Sequence, residues 1–445
     1  MNRKESAAMY APLYQALQEH RAKQRASFHT PGHKNSPLAL PDGLYALDFT
    51  ELPDTDSLFE ASGAIREAEL AAARLFGARR TLISAGGCSL CIQAMLRLAL
   101  PQGGQAVCGR VVHRSAVNAM ALLDLEPVWA PNSTAGILKK LEQTPQAGAV
   151  YVTSPSYYGQ LMDIPALAEA CKRRGIPLLV DNAHGAHLAF TEPRLHPLQL
   201  GASMTACSAH KTLGVLTGGA WLNIADERYC GGAKQAMSLF ASTSPNYMVM
   251  ASLDWARAWL EEHAALAYPV LQARVAALRE QAAALGFGFP QGRCDPTRLT
   301  LDASPLGFTG EEAARRFRAE GVECEMADGA YVVFIATPFN SDADFDRLAR
   351  ALPRVAAKRG EPQGRTGGTA RGPFPAIAPA KLRLRAAVFA PHEEIPLAFA
   401  AGRIAAEAAC PCPPGIPVVM PGEIITPEAA EFLKSYGFFT IKVLK

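Results

Sequence analysis

Between about residues 62 and 260, short apolar runs alternate with amphipathic stretches, and this alternation constrains the fold more than any other feature. The segments 81–86, 105–112, 148–154, 177–183 and 219–225 have the length and apolar character of buried strands. The segment 63–77 reads as a helix ending at Gly77, 89–100 as the next helix, and 161–175 as a helix stopped by Gly175. Strands and helices in this order dictate an α/β fold, a mainly parallel sheet covered on both faces.

A chain of 445 residues exceeds one compact core, so further units are expected. Residues 1–60 form an N-terminal segment, loop-rich except for an amphipathic helix around Tyr10, Leu13 and Leu17. Residues 61–260 form the large three-layer domain. A long helical stretch at 248–285, its halves flanking Pro269, leads into a small α+β domain over 261–356. Residues 357–375, rich in Gly, Pro and Arg, read as a linker or mobile loop. Residues 376–445 form a C-terminal domain, with a helix expected around Leu397–Ala409.

The net charge of +3 is small for this length and gives no electrostatic case for a nucleic-acid or membrane partner. No apolar run reaches the roughly 18 residues of a membrane span. The N-terminus lacks the apolar core of a signal peptide, which points to the cytoplasm. Ten scattered cysteines do not suggest a disulfide scaffold. Cys88-x-x-Cys91 has no matching second pair, and Cys410 and Cys412 have no histidine companion, so buried thiols are expected and no metal.

Four segments carry chemistry. Gly86-Gly87-Cys88-Ser89 lies between a strand and a helix, where backbone N–H groups and the helix dipole favour an anion. Asp181 ends an apolar strand at the sheet edge where α/β folds bind ligands. It could hold a protonated ring nitrogen, bind a metal with His184 or His187, or simply cap a helix. Ser208-Ala-His-Lys211 follows 30 residues later (211 − 181), leaving room for one more strand. A lysine in such a pocket can attack an aldehyde, with Ser208 and His210 near a phosphate. His113 follows another strand and is either a ring contact or an ordinary loop histidine.

With these pieces in place, the chain resembles the bacterial Orn/Lys/Arg decarboxylases of fold type I, the aspartate-aminotransferase-like enzymes that use pyridoxal 5'-phosphate (PLP). The resemblance rests on Thr30-Pro-Gly-His-Lys34, Leu52-Pro-Asp-Thr-Asp-Ser-Leu58, Ser154-Pro-Ser-Tyr-Tyr-Gly159, Asp181-Asn-Ala-His-Gly-Ala-His187 and Ser208-Ala-His-Lys211. Ser242-Thr-Ser-Pro245, Pro413-Pro-Gly-Ile-Pro417 and Pro421-Gly-Glu423 complete it. It is to the short members, which lack a receiver-like N-terminal domain.

The resemblance implies a PLP enzyme that removes the carboxyl group of arginine, lysine or ornithine and feeds polyamine synthesis. It makes Lys211 the Schiff-base lysine, Asp181 the pyridinium partner and His113 the residue stacked on the ring, with Ala183 on the other side. Gly87, Cys88, Ser89, Ser208 and His210 would surround the phosphate, and His184 would complete the cofactor pocket. Thr243 or Ser242 would reach a phosphate in the neighbouring subunit of a homodimer or higher assembly. Two positions depart from the family pattern: Cys88, where Thr or Ser is common, and Cys412, where Tyr is common. Glu51, Asp54, Asp56 and Glu423 are candidates for the substrate's distal cation. An aminotransferase, another lyase, or a silent PLP-binding protein remain open alternatives, because the shared motifs do not choose the bond that breaks.

Overall fold

The computed structural model describes residues 25–28, 51, 55–357, 375–411 and 417–445. The expected N-terminal helix, Thr30–Lys34, Asp54, residues 358–374 of the expected linker, and Cys412 lie outside these residues.

Strand β1 (Ala26–Phe28) precedes helix α1 (Ala64–Phe76). The helix ends where expected because Gly77 adopts φ +69° and returns its N–H to the carbonyls of Ala73 and Arg74, a left-handed closure that suits glycine. The large unit continues with β2 (Arg80–Ser84), α2 (Gly87–Ala99), β3 (Gly104–Gly109) and α3 (Arg114–Leu122). Then come β4 (Leu125–Ala130), α4 (Thr134–Glu142), β5 (Ala147–Thr153), α5 (Ile164–Arg173) and β6 (Leu178–Asp181). Strand β7 (Met204–Cys207), the short turn α6 (Ala209–Thr212), β8 (Ala220–Ile224) and α7 (Ala233–Ser238) complete it. The sheet order is β2-β8-β7-β6-β5-β3-β4, and β8 alone runs antiparallel to its neighbours. Strand β7 fills the room left between Asp181 and Lys211. Every residue of β6 and β7 is buried, which is why these strands are mostly apolar rather than alternating, with Asp181 and Thr205 the exceptions.

Helix α8 (Tyr247–Ala284) follows. It runs unbroken through Pro269, so the expected division at 260/261 falls inside a single 38-residue helix. Proline removes one backbone donor and usually bends a helix. Here the buried stripe continues on both sides of it through Leu260, Ala264, Tyr268, Leu271 and Val275. These residues share one apolar core with the strands of the smaller unit. That unit has β9 (Arg298–Asp302), α9 (Gly310–Ala319), β10 (Val322–Cys324), β11 (Met326–Ala327), β12 (Tyr331–Ile335) and α10 (Asp342–Ala357). Strands β11, β12 and β9 form an antiparallel sheet, while β1 pairs in parallel with β10. The N-terminal segment thus contributes a strand to the small unit.

The C-terminal part holds α11 (Leu384–Phe389), β13 (His392–Pro396), α12 (Pro427–Ser435) and β14 (Thr440–Leu444). The helix expected at Leu397–Ala409 is not there. Only Leu397–Phe399 makes a single 3₁₀ turn. Beyond it the chain is extended, with the N–H groups of Ala405, Ala406 and Ala409 donating to the carbonyls of Glu423, Lys442 and Val419. Non-local pairing overrides the helix preference of an alanine-rich stretch. The helix lies instead at Pro427–Ser435, with Thr426 as cap and Pro427 in its first turn.

One buried ion pair ties this unit to the large sheet. Arg110, just past β3, meets both oxygens of Glu423 at 2.6 and 2.7 Å. Arg110 also donates to the Val418 carbonyl, and Glu423 accepts from the Met420 N–H. Removing one member leaves the other buried and unpaired. Glu423→Ala should cost about 3–5 kcal/mol, lower the thermal midpoint, and make 375–445 the first region cut by protease. An unchanged midpoint and cleavage pattern would contradict this.

Candidate active site

The parallel strands deliver their carboxyl ends to one edge, and the chemistry-bearing residues gather there. Thr153, Asp181 and Ala206 lie in one row across β5, β6 and β7. Asp181 is buried at the end of β6. Its carboxylate accepts from the Ala183 N–H at 3.1 Å and from the Tyr151 hydroxyl at 3.3 Å. Burial raises its pKa above the usual carboxylate range, against the opposing pull of His113 and Lys211. Asp181 caps no helix, so that alternative falls away.

Lys211 stands in the turn after β7. Its Nζ lies 2.9 Å from His184 Nε2 and 6.0 Å from the centre of the Tyr157 ring. Burial pushes its pKa down, against the pull of Asp181, Cys88 and Glu325. His184 is buried under the Tyr157 ring, with centroids 4.6 Å apart. Burial first, then the neighbouring basic groups Lys211 and Arg298, push its pKa well below the ordinary histidine range. The Tyr157 hydroxyl donates to Glu325 at 2.6 Å. These contacts join β6, the turn after β7 and the small unit around one amine.

Helix α2 begins at Gly87. Gly87 adopts φ +71° and donates its N–H to the Gly218 carbonyl at 2.9 Å. No side chain caps this helix. Ser89 is exposed and Cys88 buried, its thiol pushed up by burial and so kept protonated. A protonated thiol is a weak donor, poorer than the hydroxyl it replaces. His210 approaches the Gly219 carbonyl with Nδ1 at 3.2 Å. A carbonyl only accepts, so Nδ1 carries the hydrogen, and Nε2 can donate only when the ring is charged. Ser208 is buried at the head of the same turn.

His113 caps α3, its Nδ1 accepting from the Ser115 N–H at 3.2 Å. Ala183 is buried beside Asp181. Thr243 is exposed, and the helix that follows is capped by Asn246, which accepts from the Val249 N–H. Of the four candidate acids for a distal cation, two are already engaged. Asp56 accepts from the N–H groups of Ser57, Ser62, Gly63 and Ile65, and Glu423 holds Arg110. Glu51 is exposed. Among the described residues no cluster of three or more His, Cys, Asp or Glu is arranged to hold a metal ion. No helix among them is long and apolar enough to cross a membrane.

Sequence reasoning missed Tyr151, Tyr157, Glu325 and Arg298. Tyr157 stood within a quoted motif without a role. Arg298 gave no signal, because it reaches His184 from a strand 114 positions away.

A family model described as the Orn/Lys/Arg decarboxylase major domain matches residues 11–281, and its C-terminal domain matches 371–441. The chain belongs to the Orn/Lys/Arg decarboxylase family. It is 31% identical to the arginine decarboxylase of Bacillus subtilis, over 95% of this chain and 92% of that one. Identity to the arginine decarboxylase of Halalkalibacterium halodurans is 30%, with the same shares covered. The constitutive lysine decarboxylase of Escherichia coli is 25% identical over 56% of this chain and 40% of its own length. The solved structure of that enzyme superposes with a TM-score of 0.74 at 19% identity, covering 98% of this chain and 82% of that one. The serine palmitoyltransferase of Sphingomonas wittichii reaches 0.60 at 16% identity, over 75% and 86% of the two chains. The fold is therefore fold type I, aspartate-aminotransferase-like.

Proposed function

We propose that the chain binds PLP through Lys211 and removes the carboxyl group of a basic amino acid, arginine, to give an amine that feeds polyamine synthesis. The observation that carries this reading is a buried amine, a buried carboxylate and an uncapped helix start on one sheet edge, in a member of this family. An aldehyde, a ring nitrogen and a phosphate need these three partners. Arginine is preferred over lysine and ornithine because four relatives aligned along nearly the whole chain are named arginine decarboxylases, while the relatives named lysine decarboxylases align over little more than half of it.

In this reading Asp181 holds the protonated ring nitrogen, and the ion pair relieves the cost of burying its carboxylate. His113 stacks on one face of the ring and Ala183 lies against the other. The first turn of α2 (Gly87, Cys88 and Ser89), Ser208 and His210 hold the phosphate, whose charge favours the charged form of His210. His184 stays neutral and orients Lys211 Nζ. When bound, the cofactor supplies a sink for the electron pair left as CO2 departs. The protein's part is to hold the carboxyl group across the ring plane, exclude water, and return a proton to Cα.

Covalent attachment tests the lysine directly. Borohydride reduction of the wild type should leave the cofactor's mass on the peptide containing Lys211, and the Lys211→Ala chain should carry none. Attachment at another lysine in the wild type would refute the assignment.

We also propose a two-fold dimer whose sites are completed across the interface, with Thr243 reaching the partner's phosphate. The segment is exposed, Asn246 caps the helix that follows, and the apolar side chains Leu239, just before the segment, and Trp255, within α8, are exposed too. Mixing Lys211→Ala with a chain carrying alanine at Ser242 and Thr243 should restore part of the activity, because one site in each mixed dimer receives two intact halves. No recovery, after exchange is demonstrated and both parents are inactive, would contradict the shared site.

A further inference from the structure

Arg298 lies outside every sequence motif. It opens β9 in the small unit and is one of the largest fully buried side chains. Its guanidinium donates to the Tyr157 carbonyl at 3.0 Å and to the His184 carbonyl at 3.1 Å. A further contact joins Nη1 to His184 Nδ1 at 3.3 Å. Asp295, fully buried and three residues earlier, lies 3.7 Å from Arg298 Nε and 3.0 Å from His187 Nε2.

The donor rules decide the proton positions. Arginine only donates and stays charged, so His184 Nδ1 must accept. A neutral imidazole with Nδ1 as acceptor carries its hydrogen on Nε2. That hydrogen points to Lys211 Nζ, 2.9 Å away. An ammonium has no lone pair to receive it, whereas an uncharged amine has one. The chain Arg298–His184–Lys211 is therefore satisfied in one way only, with the lysine neutral.

We propose that Arg298 is a positioning residue that fixes the proton of His184 on Nε2 and so holds Lys211 as the free amine that attacks the cofactor aldehyde. The proposal rests on the assignment of Lys211 as the PLP lysine. In the attack the Nζ lone pair forms a bond to the aldehyde carbon. The two amine protons leave with the aldehyde oxygen as water, and a C=N bond remains. Only the neutral amine has the lone pair, so the rate of capture reports its protonation.

The surroundings are mixed in sign. Asp181, Glu325 and Cys88 favour a charged lysine, while burial and the Arg298 charge oppose it. Around His184, burial, Lys211, Arg298, His113 and His210 all disfavour a charged ring. Without the guanidinium, His184 can move its hydrogen to Nδ1 and present Nε2 as an acceptor. Lys211 can then keep a third proton and donate, so its pKa rises.

The test is the rate at which added PLP is captured by the full chain freed of cofactor, followed from pH 6 to 9 by the C=N absorbance. The wild type should hold a level rate across most of this range. Arg298→Met should lose rate as pH falls, with the midpoint at least one unit higher, about a tenfold change in proton affinity. Arg298→Lys, which keeps a charged donor, should restore the level profile. A rate lowered equally at all pH values in Arg298→Met would overturn the proposal and leave Arg298 a packing residue. Failure of the wild type to capture PLP at all would instead sink the cofactor assignment. If Arg298→Met does not fold, nitrogen resonances of histidine-labelled wild type decide, with His184→Gln as the assignment control. A hydrogen on Nε2 supports the proposal, and a hydrogen on Nδ1 overturns it.

Discussion

The rest of the site depends on an amine held out of water among groups that would rather charge it. Desolvation disfavours the ammonium form of a lysine, and a carboxylate close by restores it. At Lys211 these pressures oppose each other, and the outcome depends on the hydrogen-bond partner at Nζ. That partner is a histidine whose own hydrogen is set from another part of the molecule. A small change in either partner moves the balance, because each pKa unit corresponds to about 1.4 kcal/mol.

The architecture exists to bring these groups together. The parallel strands bring Asp181, Ser208 and Lys211 to one edge, and the start of α2 joins them there. The small unit reaches the same edge through Arg298, on β9, which packs against the long helix α8, and through Glu325, in the bend between β10 and β11. The C-terminal unit is anchored by the buried Arg110–Glu423 pair just past β3, close in sequence to His113. A buried pair of this kind adds little net stability over an apolar contact, but it is unforgiving of misplacement. It fixes where the last unit sits.

Much of the large unit was legible because its signals are local. The apolar runs give β2, β3, β5, β6 and β8, and glycine stops α1 and α5. The motif around Asp181 and Lys211 was legible because Asp181 ends a mostly apolar strand and Lys211 lies in the turn that follows the next one. Two kinds of feature were not legible. The stretch after Leu397 has helix-forming composition, yet pairing with distant segments keeps it extended. Arg298 carries no local signature, since its meaning comes from the imidazole it touches. The partners of the candidate acids Asp56 and Glu423 were hidden for the same reason, because the backbone N–H groups and the guanidinium they meet are visible only in three dimensions.

The claim that this site removes a carboxyl group from arginine is tested most directly by product identification. The purified full chain with PLP is supplied separately with L-arginine, L-lysine and L-ornithine, and the released CO2 and the organic product are measured. The account predicts CO2 and the corresponding amine in equal amounts, with arginine turned over fastest. A keto acid without CO2, or a clear preference for lysine or ornithine, would contradict it.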